Sequence, residues 1–162
     1  VGGTPESASE VVKAVRDRVH RPLLVKMAPV RVPEIARACE AAGADALCLI
    51  NTINGMHLNV RTRKSMLSKP TGGVSGPAIH AIAVRMVWEA ANAVKIPING
   101  MGGVATWEDA AEMILAGATS VTVGTASFYD PTAAAKIVDG LAAWAAEQGV
   151  SDINELIGAA EC

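Results

Sequence analysis

The chain has 162 residues, of which 51% are apolar and 3% aromatic, and its formal net charge is −2. This length can enclose the core of one domain, and because no linker divides the sequence we expect residues 1–162 to form a single domain. The charge gives no basis for nucleic-acid binding, and no apolar run is long enough to span a bilayer. Three cysteines without Cys-x-x-Cys spacing favour a reducing compartment, so we expect a cytoplasmic protein.

Helix and strand patterns alternate along the chain. Segments with helical spacing of apolar residues begin near Thr4, Pro33, Pro77, Thr106 and Asp130, and a short helix is expected after Ser151. Short apolar segments typical of buried strands lie between them, at residues 23–27, 46–50, 96–100 and 120–123. Strand–helix alternation of this kind predicts an α/β fold with a parallel sheet.

Four such units can form an open doubly wound sheet or half of an eight-stranded barrel. The open sheet predicts a glycine-rich phosphate-binding turn after the first strand. Met27, Ala28 and Pro29 occupy that turn, whereas the glycine turns follow the last two strands. The position of the glycines therefore favours half of a (βα)8 TIM barrel.

Two glycine turns are the first candidate binding features. Gly102 and Gly103 lie just before the helix that begins at Thr106, and Gly124 and Thr125 follow the next strand. Backbone N–H groups in such turns, close to a helix N-terminus, can hold a phosphate. The alternative is that these glycines only permit tight turns, but their presence on two successive strand ends favours phosphate.

Other strand ends carry polar groups. Lys26 ends a strand that we expect to be buried on both faces, where its ammonium would need a partner; it could stabilise the anion of a reduced flavin, or extend into solvent. Asn51 and Thr52 suit a planar polar ligand, or serve only in a turn. Ser75 and Gly76 could bring backbone close to a ring, or cap a helix.

Residues 53–74 lose all periodicity, which is typical of a functional or mobile loop. Residues 57–60 and 65–67 could pair as a small hairpin. The cations of this segment are expected to form a solvated face more readily than a binding patch: Arg61, Arg63, Lys64 and Lys69. His20, His57 and His80 are scattered singly, so we expect no metal site, and no Ser-His-Asp set can be assembled.

Four segments together resemble the dihydroorotate dehydrogenase family, most closely its class 1B catalytic subunit. They are residues 51–56, 71–79, 100–104 and 123–126, in the family's order and spacing. The resemblance implies a (βα)8 barrel that holds FMN, of which this chain matches strands five to eight. It also implies flavin-dependent oxidation of dihydroorotate to orotate in pyrimidine (UMP) biosynthesis.

The resemblance implies roles for individual residues. Lys26 would contact the flavin ring, while Ile50 and Gly76 would line FMN through their backbone. The FMN phosphate would be held by Gly102, Gly103, Gly124 and Thr125. Asn51 and Thr52 would bind the pyrimidine. Further partners implied by the family are an electron-transfer subunit with FAD and an iron–sulfur cluster, and we expect a homo-oligomer.

Departures from the family pattern limit this transfer. The family's catalytic base is a cysteine after strand four, a segment that would lie upstream of Val1, so no catalytic residue is assigned here and the chain alone is expected to be incomplete. The loop after Lys26 is short and lacks the usual Asn after Pro29. Asn99 replaces an apolar residue and needs a partner. Alternatives are a dihydropyrimidine dehydrogenase-like flavin domain, a non-redox phosphate-binding barrel, and a flavin-binding half barrel without catalysis.

Overall fold

Eight strands and six α-helices make up residues 2–161, the part of the chain that the computed structural model describes. The strands are β1 (Leu24–Lys26), β2 (Ala46–Leu49), β3 (Ile53–Gly55), β4 (Leu58–Asn59), β5 (Lys64–Ser65), β6 (Gly72–Val74), β7 (Ile98–Met101) and β8 (Ser120–Thr122). The helices are α1 (Pro5–Arg16), α2 (Val32–Ala41), α3 (His80–Ala91), α4 (Trp107–Leu115), α5 (Ala126–Tyr129) and α6 (Ala133–Glu147). Short 3₁₀ helices cover Pro77–Ile79 and Ile153–Leu156.

The central sheet consists of four parallel strands in the order β1–β2–β7–β8. Each helix packs on the next one in space, since α1 contacts α2, α2 contacts α3, α3 contacts α4 and α4 contacts α6. Helices α3 and α4 also contact the strands. The predicted α/β class with a parallel sheet is therefore confirmed.

The two faces of this sheet differ sharply in burial. Leu47 and Leu49 are fully buried and Ile98 is 2% exposed, on the face that the helices cover. The opposite face carries Lys26, beside Cys48 in the strand register, and Leu24, which is 54% exposed. Because successive strand residues alternate between faces, the second face of the sheet is open to solvent in this structure.

The expectation that the first strand is buried on both faces is thus wrong. Lys26 is exposed, and within residues 2–161 it forms no salt bridge. An apolar strand of a parallel sheet predicts burial on both faces, but here helices cover only one of them. The Lys26 ammonium consequently needs no buried partner.

Local signals placed several helix ends correctly, although the helix predicted to begin near Asp130 begins at Ala133. Thr4 and Thr106 each cap a helix through a reciprocal capping box with the residue three positions later, and Pro5 is at the first helical position of α1. Gly43 and Gly117 follow α2 and α4 with φ of 98° and 112°, the left-handed conformation that glycine adopts without strain. The sequence Ala-Gly-Ala, which occurs at residues 42–44 and 116–118, therefore marks the end of a helix in both places.

Some predicted details differ. The helical spacing of the apolar residues after Thr4 predicts one inward face made of Ala8, Val11, Val12, Val15 and Val19. Val11 and Val15 are instead 44% and 37% exposed, whereas Ala8 and Val12 are buried. The one-turn helix α5 precedes Asp130 and was not predicted. Among residues 2–161, no helix has both the length and the apolar character needed to cross a membrane.

Residues 53–74 form an arm of two antiparallel ladders. Strand β3 pairs with β6, and β4 pairs with β5, as the predicted hairpin requires. Its four cations are all exposed: Arg61, Arg63, Lys64 and Lys69. The arm is thus regular structure that leads the chain from β2 to the start of α3.

Candidate functional site

A cavity of about 210 Å³ lies where the carboxyl ends of the central strands meet. It brings together eight of the predicted site residues: Lys26, Ile50, Thr52, Gly76, Gly102, Gly103, Gly124 and Thr125. Asn51 lines a separate cavity of about 200 Å³ beside Met27 and Ala28. Asn51 and Thr52 lie between β2 and β3, outside either strand, and the two neighbouring residues line different cavities.

The first glycine turn is constrained by both conformation and packing. Gly102 and Gly103 have φ of 131° and 74°. A Cβ on Gly102 would lie 2.7 Å from the Ala83 Cβ, and one on Gly103 would lie 2.7 Å from the Gly76 carbonyl oxygen. Tight-turn geometry alone therefore explains why these two residues are glycine, and their identity does not by itself indicate a ligand.

Gly124 is different. Its φ is not in the left-handed region, and a Cβ added there would meet no atom within 4 Å. Neither the backbone nor the packing of residues 2–161 requires glycine at this position, although Gly124 lines the cavity. A side chain here would instead occupy the open space in which a ligand could lie, so the tight-turn alternative fails at Gly124.

The backbone N–H groups of both turns are available to a ligand. Within residues 2–161, the N–H groups of Gly102, Gly103, Gly124 and Thr125 donate to no backbone or side-chain acceptor. Most buried polar backbone groups in proteins are paired; Gly102, Gly103 and Thr125 are partly buried, and Gly124 is exposed. Four unpaired donors around one cavity form an arrangement suited to an anion such as phosphate.

A third strand end closes the cavity. The Thr125 hydroxyl donates a hydrogen bond to the Ser75 hydroxyl at 2.9 Å. Gly76, the next residue, has φ of 87° and is buried against Thr125, whose Cγ2 would lie 3.4 Å from a Cβ on Gly76. The segment before α3 is therefore fixed against the second glycine turn.

Lys26 supplies the cationic side of the cavity. It lies in the strand register opposite Cys48. Burial raises the pKa of the Cys48 thiol, and the Lys26 charge opposes that rise. Since Lys26 forms no salt bridge within the described chain, its charge remains available to an anionic ligand.

Asn99 finds the partners that its sequence position demands. Its Nδ2 donates to the Ser120 Oγ at 2.8 Å, and its Oδ1 accepts from the Thr122 Oγ1 at 2.8 Å. These three side chains lie on the open face of the sheet, and Thr122 also lines the cavity. A polar row therefore extends the site along β7 and β8.

Some cavity residues were missed by sequence reasoning. Ile79, Met101 and Thr122 line it without having been predicted. For Thr122 a signal existed, because strand alternation places it on the same face as Ser120. A larger cavity of about 460 Å³ between α3 and α4 has an almost entirely apolar surface, although Arg85 and Glu112 are among its lining residues.

An α/β fold whose parallel strands end in a glycine-lined cavity belongs to the class of proteins that bind ligands at the carboxyl edge of a sheet. Comparison with known proteins defines the family. The family model described as Dihydroorotate dehydrogenase matches residues 1–144. The chain therefore belongs to the dihydroorotate dehydrogenase family.

Curated relatives are similar over nearly the whole chain. A protein of Geotalea uraniireducens named dihydroorotate dehydrogenase B (NAD(+)), catalytic subunit, is 51% identical over 160 residues, which is 98% of this chain and 52% of that protein. The catalytic subunit of the same name from Trichlorobacter lovleyi is 51% identical over 162 residues, 99% of this chain and 53% of that protein. The chain thus spans about half the length of these relatives.

A solved structure supports the fold. The DHODH of Eimeria tenella, crystallised in complex with ferulenol, superposes with a TM-score of 0.82 at 23% identity, covering 97% of this chain and 49% of that one. At this identity the likeness concerns the fold alone.

Proposed function

We propose that residues 1–162 are one partial domain, strands five to eight of a (βα)8 TIM barrel, in a class 1B dihydroorotate dehydrogenase. Three observations support this. The sheet has four parallel strands in sequential order, helices cover one face only, and the chain spans about half the length of its relatives. In a closed barrel the open face, with Leu24 and Lys26, would be the interior. The complete enzyme that contains this chain is the protein to which this proposal applies.

The cofactor that the site suits best is FMN. Four unpaired N–H donors and the open space at Gly124 match a phosphate, so Gly102, Gly103, Gly124 and Thr125 would hold that group. Ligand pockets usually measure about 300–1,000 Å³. The cavity of about 210 Å³ is smaller than this, so it would enclose the phosphate end of FMN and not the whole cofactor. Ile50, Gly76 and Lys26, which line the same cavity, would contact the rest of FMN. When bound, FMN supplies hydride acceptance, which no protein side chain provides.

The chain's own residues would then bind and orient. The Lys26 ammonium would stabilise negative charge at the far end of the cavity. We propose that Asn51 and Thr52 bind the pyrimidine. Thr52 lines the main cavity, which supports its role. Asn51 precedes Thr52 in the chain and lines the neighbouring cavity. No residue of this chain is proposed as the base that removes the substrate proton.

The proposed reaction is the oxidation of dihydroorotate to orotate in pyrimidine biosynthesis, within a cytoplasmic homo-oligomer. An electron-transfer subunit with FAD and an iron–sulfur cluster is the proposed partner, a role supported by the relatives' description as catalytic subunits. The family match favours this reaction over a dihydropyrimidine dehydrogenase-like domain and over a non-redox phosphate-binding barrel.

The observation that carries the proposal is the set of unpaired N–H donors around Gly124. The test is to purify the complete enzyme, identify its released flavin, and add dihydroorotate anaerobically while following the flavin absorbance. Bleaching on addition of dihydroorotate, with FMN as the released flavin, supports the proposal. Another flavin, or bleaching by dihydrouracil but not by dihydroorotate, would overturn it.

A further inference from the structure

His80 occupies an unusual position beneath the first glycine turn. It is the first residue of α3, and at 8% exposure it is the one polar residue in the buried class within residues 2–161. Its imidazole lies between the turn at Gly102 and the beginning of α4. From the sequence alone, this histidine has no assigned role.

One ring nitrogen holds the turn. The His80 Nδ1 is 2.9 Å from the Gly102 carbonyl oxygen. A carbonyl oxygen can only accept a hydrogen bond, so Nδ1 carries the proton and donates it. In a planar trans peptide the C=O of one residue and the N–H of the next point in opposite directions. By fixing the Gly102 carbonyl, His80 thus directs the Gly103 N–H away from itself.

That N–H is one of the unpaired donors of the cavity. Gly103 lines the cavity, and within the described chain its N–H has no acceptor. Gly103 also packs closely on His80, since a Cβ on Gly103 would lie 2.8 Å from the His80 Cβ and 3.0 Å from the His80 Cα. Two consecutive glycines have wide conformational freedom, so an external contact is needed to hold their donors in one orientation.

The other ring nitrogen faces the beginning of α4. The His80 Nε2 has no hydrogen-bond partner among the described atoms, and it lies 3.7 Å from Asp109 Oδ1 and 3.5 Å from Glu112 Oε2. The second oxygen of Asp109 accepts from the N–H groups of Ala105 and Thr106. The ring therefore lies between the turn after β7, to which Nδ1 is hydrogen-bonded, and the carboxylates of α4, to which Nε2 forms no hydrogen bond.

We infer that His80 is a positioning residue that preorganises the Gly102–Gly103 turn for the phosphate of the flavin nucleotide. The inference rests on the proposed function, because it assigns the same turn to the same group. A preorganised donor strengthens binding because its ordering is not required when the ligand arrives. The contribution of His80 is accordingly specific to the phosphate and absent for a flavin without one.

The test compares FMN with riboflavin, which lacks the phosphate. Apoprotein of the complete enzyme is titrated with each flavin, and the dissociation constants are obtained from flavin fluorescence. In His80→Ala we expect FMN binding to weaken roughly three- to tenfold, the range for one hydrogen bond, with riboflavin binding unchanged. His80→Asn, whose amide can donate from near the Nδ1 position, should restore FMN affinity; His80→Gln, whose amide reaches the Nε2 position, should not.

A matched control and the outcomes make the test decisive. His57→Asn makes the same change on the exposed arm and should leave both constants unchanged. If the wild-type protein binds FMN no better than riboflavin, the proposed phosphate site itself fails. If it prefers FMN but His80→Ala keeps that preference, the inference about His80 is wrong. If His80→Ala weakens the binding of FMN and riboflavin equally, or if the His80→Asn and His80→Gln variants bind FMN equally well, the role of His80 is merely structural and the inference is also wrong. The comparison of the Asn and Gln variants remains decisive even if the Ala variant does not fold.

Discussion

The hydrogen bond between the Thr125 and Ser75 hydroxyls joins the end of β8 to the segment that follows β6, although these residues are 50 positions apart in the chain. Thr125 is therefore part of the second glycine turn and also contacts the Ser75–Gly76 segment that precedes α3. Because its hydroxyl is a positioning contact, Thr125→Val should weaken FMN binding while Thr125→Ser, which keeps the hydroxyl, should not. The measurement is the FMN dissociation constant in the complete enzyme, with a loss expected of about three- to tenfold. Equal affinity in the Val and Ser variants would contradict this role.

Gly124 offers the cleanest test of the phosphate site. Gly124→Val adds a side chain where the protein has no atom within 4 Å, and its φ carries no glycine-specific strain. The variant should therefore fold and keep its melting temperature as apoprotein, yet lose most of its flavin. Gly3→Val is the matched control, because a Cβ added at Gly3 would likewise meet no atom within 4 Å and Gly3 lies outside the cavity. The flavin-to-protein ratio after purification decides; a normal ratio in Gly124→Val would reject the phosphate assignment.

Gly102 is a poorer choice for that experiment than its sequence position suggests. A Cβ there would lie 2.7 Å from the Ala83 Cβ, so a larger residue would disturb α3 as well as the cavity. Loss of flavin in such a variant could follow from misfolding alone. A substitution at Gly124, where an added Cβ meets no atom within 4 Å, separates loss of the phosphate site from misfolding. This difference between the two glycines is visible only in the tertiary structure.

Substitution of Asn51 should affect the pyrimidine and spare the flavin. Removing a hydrogen-bond partner from a buried substrate group costs about 1–3 kcal/mol, so orotate should bind about ten- to a hundredfold more weakly to Asn51→Ala. The Asn51 side chain also accepts the Thr52 N–H at 2.9 Å. Asn59→Ala is therefore a fitting control, because Asn59 accepts the N–H groups of Arg61 and Thr62 in the same local manner but lies on the arm. Orotate titration of the flavin spectrum measures both variants, and loss of flavin with intact orotate binding would reverse the assigned roles.

The local elements of this fold could be read from the sequence, because their causes are local. The capping residues Thr4 and Thr106 and the helix-ending glycines act on neighbours within a few positions. The glycine turns after β7 and β8 were likewise visible, since each lies directly after its strand. The parallel sheet followed from the alternation of these elements.

What failed depends on contacts between distant residues. Exposure of Lys26 reflects the missing cover over one face of the sheet, which no periodicity of β1 reveals. The role of His80 depends on Gly102, 22 positions away. Asn51 and Thr52 are adjacent in the sequence and are predicted to bind one ligand together, but they line different cavities, which the sequence does not reveal.

Acid should weaken the start of α6. The Lys136 ammonium, together with the Thr132 hydroxyl and N–H, lowers the pKa of Asp130 from 3.8 to about 2. A carboxylate with a depressed pKa contributes stability that is present above its unfolded-state pKa and is lost as the pH falls through the folded-state value. The melting temperature of the wild-type enzyme should thus fall more steeply between about pH 4 and about pH 2 than that of Asp130→Asn. Asp139→Asn, an exposed α6 carboxylate without a hydrogen bond in the described chain, should behave as wild type; parallel curves for wild type and Asp130→Asn would refute the prediction.

The 162-residue chain expressed alone should not turn over dihydroorotate. The proposed base lies outside this chain, and general base assistance is typically worth about 10²- to 10⁴-fold in rate. The structure adds a physical reason, because β1 and β8 are unpaired edges of the central sheet and the face with Leu24 lacks cover. Edges and open faces of this kind favour association with other chains. We therefore expect dimers or larger species by light scattering, and no dihydroorotate oxidation with an artificial acceptor. Adding the N-terminal half of a relative such as the Geotalea uraniireducens subunit in trans should restore a monodisperse species and measurable turnover. A monomer of this chain that is active on its own would contradict both the half-barrel proposal and the proposal that the catalytic base lies outside this chain.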